Sequence, residues 1–338
     1  MKIIVDTLGA DHSPDAEVEG ALLALRENRE LKVVLVGDEK KIQAVLDKRK
    51  VKTRRIEIVH APDVVTGNDL PTDAIRLKKD SSMMRAIRLL REDDTADALV
   101  SNGATGVLVA ASILRIGRIE GVRRPALCPI VPSLAGDVVG ICDSGANTEV
   151  TPEMLQQFAV MGSRYMEAFR GMKNPRVGLL NIGTEEEKGD DLRREAYQLL
   201  KKTPGINFTG NMEAREFLSG TVDMVVCDGF SGNVLAKCAE GTALEVLKRL
   251  KRNINTKKRY QLGGLLMKKM FAEEKENMNY LNYGGCVLLG TEKVIVKGHG
   301  SSDRTATKVS ILQACRMVHF EMNEKIRESL ARIEKGEE

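Results

Sequence analysis

Short apolar runs alternate with longer helical patterns along nearly the whole chain, and no other feature of the sequence restricts the fold as strongly. Strand-type runs cover residues 2–6, 32–38, 56–61, 96–101, 138–143, 176–183, 206–211, 224–230 and 293–300. Such alternation predicts a three-layer α/β/α protein in which helices cover both faces of a mainly parallel sheet. Because no linker rich in Pro, Gly or Ser interrupts the pattern, we predict a single α/β domain over residues 1–338.

Five of the predicted strands end in turns that share one chemistry. Each turn places glycine beside Asn, Asp, Ser or Thr before a helix begins, as in VDTLGADHSPD, VSNGATGVLVAA, CDSGANTEVTPE, LLNIGTEEEKGDDL and VVCDGFSGNVLAK. The carboxyl ends of parallel strands meet at one edge of a sheet, where ligands bind. One such turn is adequately explained as a helix cap. Five together gather backbone N–H groups and helix N-termini, and therefore predict an anion-binding site.

The motifs of several common enzyme classes are missing from the sequence. No G-x-G-x-x-G follows the first strand, and neither a Walker A loop, H-E-x-x-H nor G-x-S-x-G occurs. The six cysteines lie far apart without a C-x-x-C pair, which argues against a disulfide framework or a zinc site. What remains is an anion site without an obvious protein nucleophile. Bound inorganic phosphate could itself be the nucleophile.

Lys188 and Asn233 are the side chains best suited to such an anion. A lysine is a compact charge with three donors, so Lys188 could hold a phosphate oxygen or stabilise an oxyanion at an acyl carbonyl. Asn233 offers a donor and an acceptor from a second turn. Residues 185–187 are glutamates, which we predict in the first turn of the next helix, where the helix dipole favours acidic side chains. An ordinary exposed helix position is the alternative for Lys188.

The turns around these residues resemble those of a known enzyme family. The family's motifs occur here in the family's order and with its spacing. They are NIGTEEEKGDDL, CDGFSGNVL, KKDSSMMRAIRLL, DSGANTEVTPEMLQQFAVMGSRY and the pair YGGCVLLG and GHGSSD. On these motifs the chain is identified as a member of the acyl-acyl carrier protein:phosphate acyltransferases of the PlsX type. The resemblance runs from VDTLGADHSPD to about residue 320.

This resemblance implies a reaction, a fold and several partners. The reaction converts acyl-acyl carrier protein (acyl-ACP) and inorganic phosphate to acyl phosphate and free ACP, at the start of phospholipid synthesis. The fold is similar to that of isocitrate and isopropylmalate dehydrogenases and of phosphotransacetylases. The resemblance further implies that the reaction uses no metal and no organic cofactor. It also implies a homodimer that is attached peripherally to the membrane. A membrane-bound glycerol-3-phosphate acyltransferase would accept the product.

The family's motifs assign active-site roles to Lys188 and Asn233, in agreement with the argument from charge and hydrogen bonding. The other residues expected to line the substrate cleft are Asp6, Asp11, His12, Ser101, Asn147 and Asp228. His12 is either an ordinary turn residue or a group that orients phosphate or protonates the leaving thiolate. The chain departs from the family pattern at Ala10, where a second glycine is usual, and in SNGATG, which replaces S-A-G-N-T-G.

A basic and apolar segment precedes the last strands. Residues 248–259 contain seven basic and no acidic residues, and residues 257–271 carry an apolar face with basic neighbours. This face fits a helix in an anionic membrane interface, or a helix packed against a dimer partner. The resemblance favours membrane contact through 257–271, with residues 248–283 protruding as a helical segment on the dimer and membrane side. The basic run could also meet acidic ACP, and we expect no nucleic-acid partner.

The location and the competing functions follow from the same features. The lack of a signal-peptide pattern and of an apolar run of roughly 20 residues predicts a cytoplasmic protein. A phosphotransacylase that uses short acyl-CoA would share the chemistry and the fold. A decarboxylating dehydrogenase would share the fold, but its carboxylate cluster for Mg²⁺ and its dinucleotide motif are missing from the sequence. A scaffold for lipid-synthesis proteins would use the basic helix without needing five glycine turns.

Overall fold

All nine strands predicted from the sequence are present in the computed structural model, which describes residues 1–336. The strands are β1 (Lys2–Asp6), β2 (Lys32–Gly37), β3 (Ile56–His60), β4 (Ala98–Ser101), β5 (Ala126–Cys128), β6 (Ile130–Pro132), β7 (Val138–Cys142), β8 (Arg176–Asn181), β9 (Asn207–Glu213), β10 (Met224–Val226), β11 (Cys286–Leu289) and β12 (Val294–Lys297). The helices are α1 (Asp15–Glu27), α2 (Glu39–Lys48), α3 (Pro71–Leu77), α4 (Ser82–Glu92), α5 (Thr105–Arg115), α6 (Pro152–Arg170), α7 (Asp191–Lys201), α8 (Gly229–Ile254), α9 (Lys258–Leu266), α10 (Lys268–Asn277), α11 (Arg304–His319) and α12 (Met322–Lys335). The sequence patterns do not predict β5, β6 or β11.

In the described part of the chain the strands form two sheets. The larger sheet has seven strands in the order β3-β2-β1-β4-β12-β11-β5, and the smaller sheet has five in the order β6-β7-β10-β8-β9. Neighbouring strands are parallel, except that β11 is antiparallel to β12 and β5, and β6 is antiparallel to β7. Parallel strands with helices on both faces are buried on both sides, which explains their continuous Val, Ile and Leu runs. The predicted mainly parallel α/β arrangement is confirmed.

The hydrophobic core lies on both faces of the strands and extends across the two sheets. Successive residues of a strand point to opposite faces, so Val5 and Ile4 of β1 belong to different apolar clusters. The cluster that holds Val5 also holds Val226 of β10 in the smaller sheet. Tyr165 of α6 accepts a hydrogen bond from Gln313 Nε2 of α11 at 2.6 Å. Helices α6 and α11 therefore connect the packing of the two sheets.

The segment from α8 to α10 contributes little to this core. In α8 only Gly229 and Gly232 are buried, and the described residues of α9 and α10 include no buried side chain. Residues 257–271 form two helices, α9 and α10, which meet at Met267. The exposed apolar side chains of α9 are Leu262, Leu265 and Leu266. In the described part of the chain, no helix is both long enough and apolar enough to cross a membrane.

Candidate active site

The predicted turns lie at the carboxyl ends of neighbouring strands in both sheets. The turns after β1, β4 and β12 are adjacent in the larger sheet, and those after β7, β10 and β8 are adjacent in the smaller sheet. The turn after β7 contacts β5, because Ser144 N–H donates to the Leu127 carbonyl at 2.9 Å and Leu127 N–H donates to Asp143 Oδ1 at 2.8 Å. Both groups of turns therefore border one region, which we call the cleft. The cleft is bordered by residues 6–14, 101–105, 143–151, 181–190, 227–233 and 297–303.

The first turns of α8 face the ends of β11 and β12 across the cleft. Lys237 lies one turn beyond Asn233, and its charge acts on Cys286 of β11 and on His299 after β12. Burial is the largest cause that lowers the pKa of His299, and the positive charges of Lys237 and Lys297 lower this pKa further. Cationic side chains thus come from both walls of the cleft, as an anion site requires.

Two surface cavities, of about 260 and 320 Å³, lie away from the cleft. Residues of α3, α4 and α5, including Arg88 and Arg115, line the first together with Lys79 between α3 and α4. Residues of α7 and β9 line the second, including Tyr197 and Phe208. Neither cavity includes a residue of the six turns. None of the predicted site residues therefore lines either of these two cavities.

Asp6 and Ser101 end the larger sheet on the cleft side. Ser101 Oγ donates a hydrogen bond to Asp6 Oδ2 at 2.7 Å, and both residues are buried. Burial raises the pKa of Asp6 to about 6, against the lowering effect of hydrogen bonds from Ser82 and Ser101. A Cβ at Gly103 would lie 2.7 Å from Met83 Cε and 3.5 Å from Asp6 Oδ2. Glycine at position 103 therefore leaves room for the end of the Met83 side chain beside this turn.

Asp11 and His12 are exposed on the outer part of the same region. Asp11 N–H donates to the Gly300 carbonyl at 2.9 Å, which joins the turn after β1 to the turn after β12. The His12 carbonyl accepts a hydrogen bond from Ala16 N–H at 3.1 Å where α1 begins. Both side chains therefore border the entrance of the cleft, in contrast to the buried Asp6.

Asn147 connects the turn after β7 to the turn after β10. Its Nδ2 donates to the Pro125 carbonyl at 2.8 Å and to Asp143 Oδ2 at 2.9 Å. Its carbonyl accepts a hydrogen bond from Gly229 N–H at 2.7 Å. A Cβ at Gly229 would lie 2.7 Å from the Asn147 carbonyl oxygen and 2.8 Å from Asp143 Oδ2, so only glycine fits there. The Asn147 side-chain amide therefore fixes the turn after β7, and its backbone carbonyl holds the turn after β10.

Asp228 and Asn233 belong to the amino-terminal end of α8. Asp228 Oδ1 accepts a hydrogen bond from Ser231 N–H at 2.8 Å, which caps the helix, and Ser231 Oγ donates to Asp228 Oδ2 at 2.8 Å. Asn233 Nδ2 donates to the Ser144 carbonyl at 3.4 Å across the cleft border. The amide of Asn233 is thus held beside the helix N-terminus, where the helix dipole favours an anion.

Side-chain amides shape the turn that carries Lys188. Asn181 Nδ2 donates to the Lys188 carbonyl at 3.0 Å, and Asn211 Nδ2 donates to the Glu185 carbonyl at 2.7 Å. The Lys188 side chain is exposed. Within residues 1–336 its ammonium group has neither a hydrogen-bond partner nor a salt bridge. The ammonium group is therefore available to a ligand.

The glutamates before Lys188 do not occupy the helical turn that the sequence predicts. Helix α7 begins at Asp191 and is capped by Asp190, whose Oδ1 accepts a hydrogen bond from Arg193 N–H at 3.0 Å. The prediction is wrong because an aspartate, which is a stronger N-cap than glutamate, starts the helix later in the chain. Glu186 pairs with Lys201 at 2.7 Å. This contact gives one of the three carboxylates a partner on α7.

Two further charged residues at the cleft are not predicted from the sequence. Arg193 donates to Asp190 Oδ2 at 2.7 Å and also to Asp228 Oδ2, and so connects the Lys188 turn to the Asn233 turn. Lys297, the last residue of β12, is only 7% exposed although it carries an ammonium group. A lysine directly before the GHGSSD turn is the one signal in the sequence that could have indicated its position.

The chemistry of the cleft favours anion binding over covalent catalysis by a thiol. Burial raises the pKa of Cys227 well above its ordinary value and that of Cys286 to about 11. Both thiols therefore stay protonated at neutral pH, and a protonated thiol is a weak nucleophile. Among residues 1–336, no group of three or more His, Cys, Asp or Glu side chains gathers as metal ligands would.

Comparison with known sequences identifies close relatives over the full length. Residues 1–325 match the family described as "Fatty acid synthesis protein". The phosphate acyltransferase of Halalkalibacterium halodurans is 44% identical over 338 residues, covering 100% of this chain and 99% of that protein. The phosphate acyltransferase of Brevibacillus brevis is 43% identical over 337 residues, again covering 100% of this chain and 99% of that protein.

Solved structures of phosphotransacetylases have the same fold. The phosphotransacetylase of Streptococcus pyogenes matches with a TM-score of 0.61 at 16% identity, covering 94% of each chain. The EutD phosphotransacetylase of Staphylococcus aureus matches with a TM-score of 0.60 at 17% identity, covering 95% of this chain and 94% of the other. These matches confirm the expected phosphotransacetylase-like fold. The match over residues 1–325, with relatives above 40% identity, shows that the chain belongs to the fatty acid synthesis protein family of phosphate acyltransferases.

Proposed function

We propose that this protein is a phosphate acyltransferase, which converts acyl-ACP and inorganic phosphate to acyl phosphate and free ACP for phospholipid synthesis. The observation that carries the proposal is the 44% identity, over the whole chain, to a protein named phosphate acyltransferase. The chemistry of the cleft supports it, because amide-rich turns and cationic side chains suit a phosphate substrate.

In the mechanism that we propose, the substrate phosphate is the nucleophile. Backbone N–H groups of the glycine turns and the N-terminus of α8 hold phosphate, and Asn233 assists them. A phosphate oxygen attacks the thioester carbonyl, and Lys188 stabilises the negative charge that develops on the carbonyl oxygen. The carbon–sulfur bond then breaks, and the phosphopantetheine thiolate leaves with the electron pair and takes up a proton. No acyl-enzyme intermediate is required.

We assign different tasks to the remaining predicted site residues. Asp6 and Ser101 form the buried end of the cleft, while Asp228 and Asn147 fix the turns that present Asn233. The exposed side chain of Asp11 borders the entrance of the cleft. His12, also exposed, would orient phosphate or protonate the leaving thiolate. These roles predict that loss of Asn147 or Asp228 disturbs structure as well as rate.

The direct test combines purified protein with palmitoyl-ACP and phosphate, without added metal or nucleotide. Free ACP thiol and acyl phosphate trapped by hydroxylamine are both measured over time. We expect equal amounts of the two products, formed only when phosphate is present. Release from short acyl-CoA but not from acyl-ACP would instead identify a short-chain phosphotransacylase. No acyl transfer from either donor would contradict the enzymatic function.

We further propose a cytoplasmic homodimer that attaches peripherally to the membrane. In this arrangement residues 248–283 protrude from each subunit and bring the basic and apolar side chains of 257–271 to an anionic lipid surface. On α9, Leu265 and Leu266 are 66% and 81% exposed and adjacent in the chain, so they present apolar surface to the solvent together. Attachment there would release acyl phosphate next to a membrane-bound glycerol-3-phosphate acyltransferase.

Replacing Leu265 and Leu266 together by glutamate is expected to weaken binding to phosphatidylglycerol vesicles at least about tenfold, because two apolar contacts are lost and anionic charge is added. Vesicle co-sedimentation measures the effect. The control replaces Leu77 and Leu134, which are 68% and 72% exposed elsewhere, by glutamate. If the first double variant binds vesicles normally but becomes monomeric, the apolar face serves the dimer instead.

A further inference from the structure

Four polar or ionisable side chains form a continuous row across the end of the larger sheet. In the register of neighbouring strands, Asp6 is paired with Ser101, Ser101 with Lys297, and Lys297 with Cys286. Paired residues on adjacent strands project from the same face of a sheet and lie about 5 Å apart. We call these four residues the polar row. It lies where β1, β4 and β12 end, next to the turns that border the cleft.

Lys297 is the cation of the polar row, and among the described residues it has no carboxylate in direct contact: Asp6, two strands away, acts on it only at a distance. Its Nζ donates to the Gly298 carbonyl and, at 3.4 Å, to the Asn102 carbonyl. No salt bridge to Lys297 occurs within residues 1–336. By contrast Lys2, at the opposite end of β1, pairs with Asp93 at 2.6 Å. Burying a charge without a counter-ion is costly, so its retention here needs a reason.

The donors of Lys297 are only partly used. An ammonium group has three N–H donors, and the two carbonyl oxygens account for two of them. The third finds no acceptor in the described part of the chain. A free donor and a positive charge without a direct ion pair therefore remain together at the end of β12. A bound anion would satisfy both.

The groups that surround Lys297 come from several elements. Asp6 faces it from β1 and Cys286 from β11, while Glu17 of α1 reaches it through Asn102, whose Nδ2 donates to Glu17 Oε1 at 2.9 Å. Burial lowers the pKa of Lys297 to about 8, and the Asp6 carboxylate opposes this shift. Burial raises the pKa of Glu17 to about 7. Lys297 is therefore charged at neutral pH, and it loses its proton within a pH range in which binding can be measured.

The groups on the opposite wall add positive charge. Lys237 of α8 acts electrostatically on Cys286 and on His299, the neighbours of Lys297 in space and in sequence. Asp143 after β7 also acts on Cys286, but its carboxylate accepts hydrogen bonds from Leu127 N–H, Asn147 N–H and Asn147 Nδ2. An anion between these walls would meet Lys297 from one side and α8 from the other.

We propose that the Lys297 ammonium group binds an oxygen of the phosphate substrate at the floor of the cleft, a role that rests on the proposed function. Of the two substrates, inorganic phosphate carries negative charge on the atoms that react. The acyl thioester, at the end of the phosphopantetheine arm of acyl-ACP, is uncharged. Lys297 holds phosphate in the ground state, and Lys188 acts from the opposite turn on the charge that develops during attack. The two lysines thus have separable effects on phosphate affinity and on rate.

The test begins with binding of inorganic phosphate alone to the full chain. Calorimetry and the phosphate-dependent rise in Tm give the Kd without any reaction. Lys297→Met is expected to raise the Kd and the KM for phosphate at least about tenfold, since a charged hydrogen bond is lost, while the KM for acyl-ACP stays within about twofold. The control is Lys293→Met, directly before the same strand and at its end away from the cleft, which removes the hydrogen bond from Lys293 Nζ to the Ala96 carbonyl at 2.8 Å. It should leave phosphate affinity unchanged.

The pH dependence of binding separates a ligand from a structural lysine. Phosphate is already a dianion above pH 8, so weakening of binding between pH 8 and 9.5 reports loss of the Lys297 proton, given its pKa of about 8. In Lys297→Arg this weakening should disappear, because the guanidinium stays charged. A flat profile in the unmodified protein, even if Lys297→Met fails to fold, would overturn the proposal.

The remaining outcomes distinguish this inference from the proposed function. If the protein forms acyl phosphate and folded Lys297→Met keeps its phosphate Kd and KM, the inference fails and the function stands. If phosphate binding depends on Lys297 but no acyl phosphate forms, the site stands and the function fails. A loss of phosphate affinity of the same size in Lys293→Met would mean that Lys297 acts only through the structure.

Discussion

Lys188→Ala is expected to lower kcat by about 100- to 1000-fold, the effect that removal of one oxyanion donor usually has. The Lys188 ammonium group is exposed and has no partner in residues 1–336, so its loss removes no contact that the fold needs. Unfolding by heat should therefore be nearly unchanged. The measurement is kcat at saturating palmitoyl-ACP and phosphate, with free ACP and trapped acyl phosphate followed together.

A matched variant makes this result specific to the cleft. Lys202, an exposed lysine at the end of α7, can be replaced by alanine without touching the turn after β8. Lys202→Ala should keep kcat within about twofold of the original value. If Lys188→Ala raised only the KM for phosphate and left kcat intact, Lys188 would bind the ground state and not the developing charge. Unchanged kcat and KM would remove Lys188 from the mechanism.

The strand that the sequence predicts most clearly is β2, whose two faces are both buried. In β2 (Lys32–Gly37) every residue after the first is buried, so the apolar run is unbroken and easy to recognise. The missed strands β5 and β6 have three residues each, and only Pro129 separates them. Such short segments show no periodicity. The position of β5 depends on its pairing with β11, which lies far away in the sequence. The position of β6 depends on its pairing with β7, which follows it in the chain.

The division into two sheets arises at the same unpredicted place. Strand β5 joins the larger sheet through Leu127 and Leu288, whereas β6 joins the smaller sheet through Val131 and Val139. The chain therefore leaves one sheet and enters the other at Pro129, which has no N–H to continue a ladder. No composition change marks this point. The apolar patterns of individual strands predict a mainly parallel sheet, but they do not predict its division into two sheets.

The site residues that can be recognised from the sequence are those whose role is local. Lys188 and Asn233 each lie in a turn whose glycines and helix start are contiguous in the chain. Arg193 and Lys297 depend on distant partners: Arg193 reaches Asp228, and Lys297 is paired with Ser101 in the sheet register. A basic residue inside an ordinary helix or at the end of a strand gives no sign of such a partner. Register and tertiary packing are needed to find both.

Arg193 is the structural connection between the Lys188 turn and the Asn233 turn, so its replacement is the second change for which we expect a large effect. The arginine is 20% exposed and its partner Asp228 only 9% exposed, so the pair is mostly shielded from water. Arg193 also binds Asp190, which caps α7 and lies two residues after Lys188. Removing the guanidinium would leave a buried carboxylate without a cation, which is more costly than losing the bond itself. The Lys188 turn would also lose its tie to α8.

Arg193→Ala is expected to reduce the free energy of unfolding by about 3 kcal/mol and kcat by about 100-fold, since displacement of a catalytic group by about 1 Å has that effect. Denaturant unfolding and the acyl phosphate assay measure the two quantities. Adding Asp228→Asn removes the unpaired charge, so stability should partly recover while kcat stays low. The exposed pair Arg170 and Asp137 provides the control, because Arg170→Ala should cost less than about 1 kcal/mol. Full recovery of kcat in the double variant would show that Arg193 stabilises the fold without positioning Lys188.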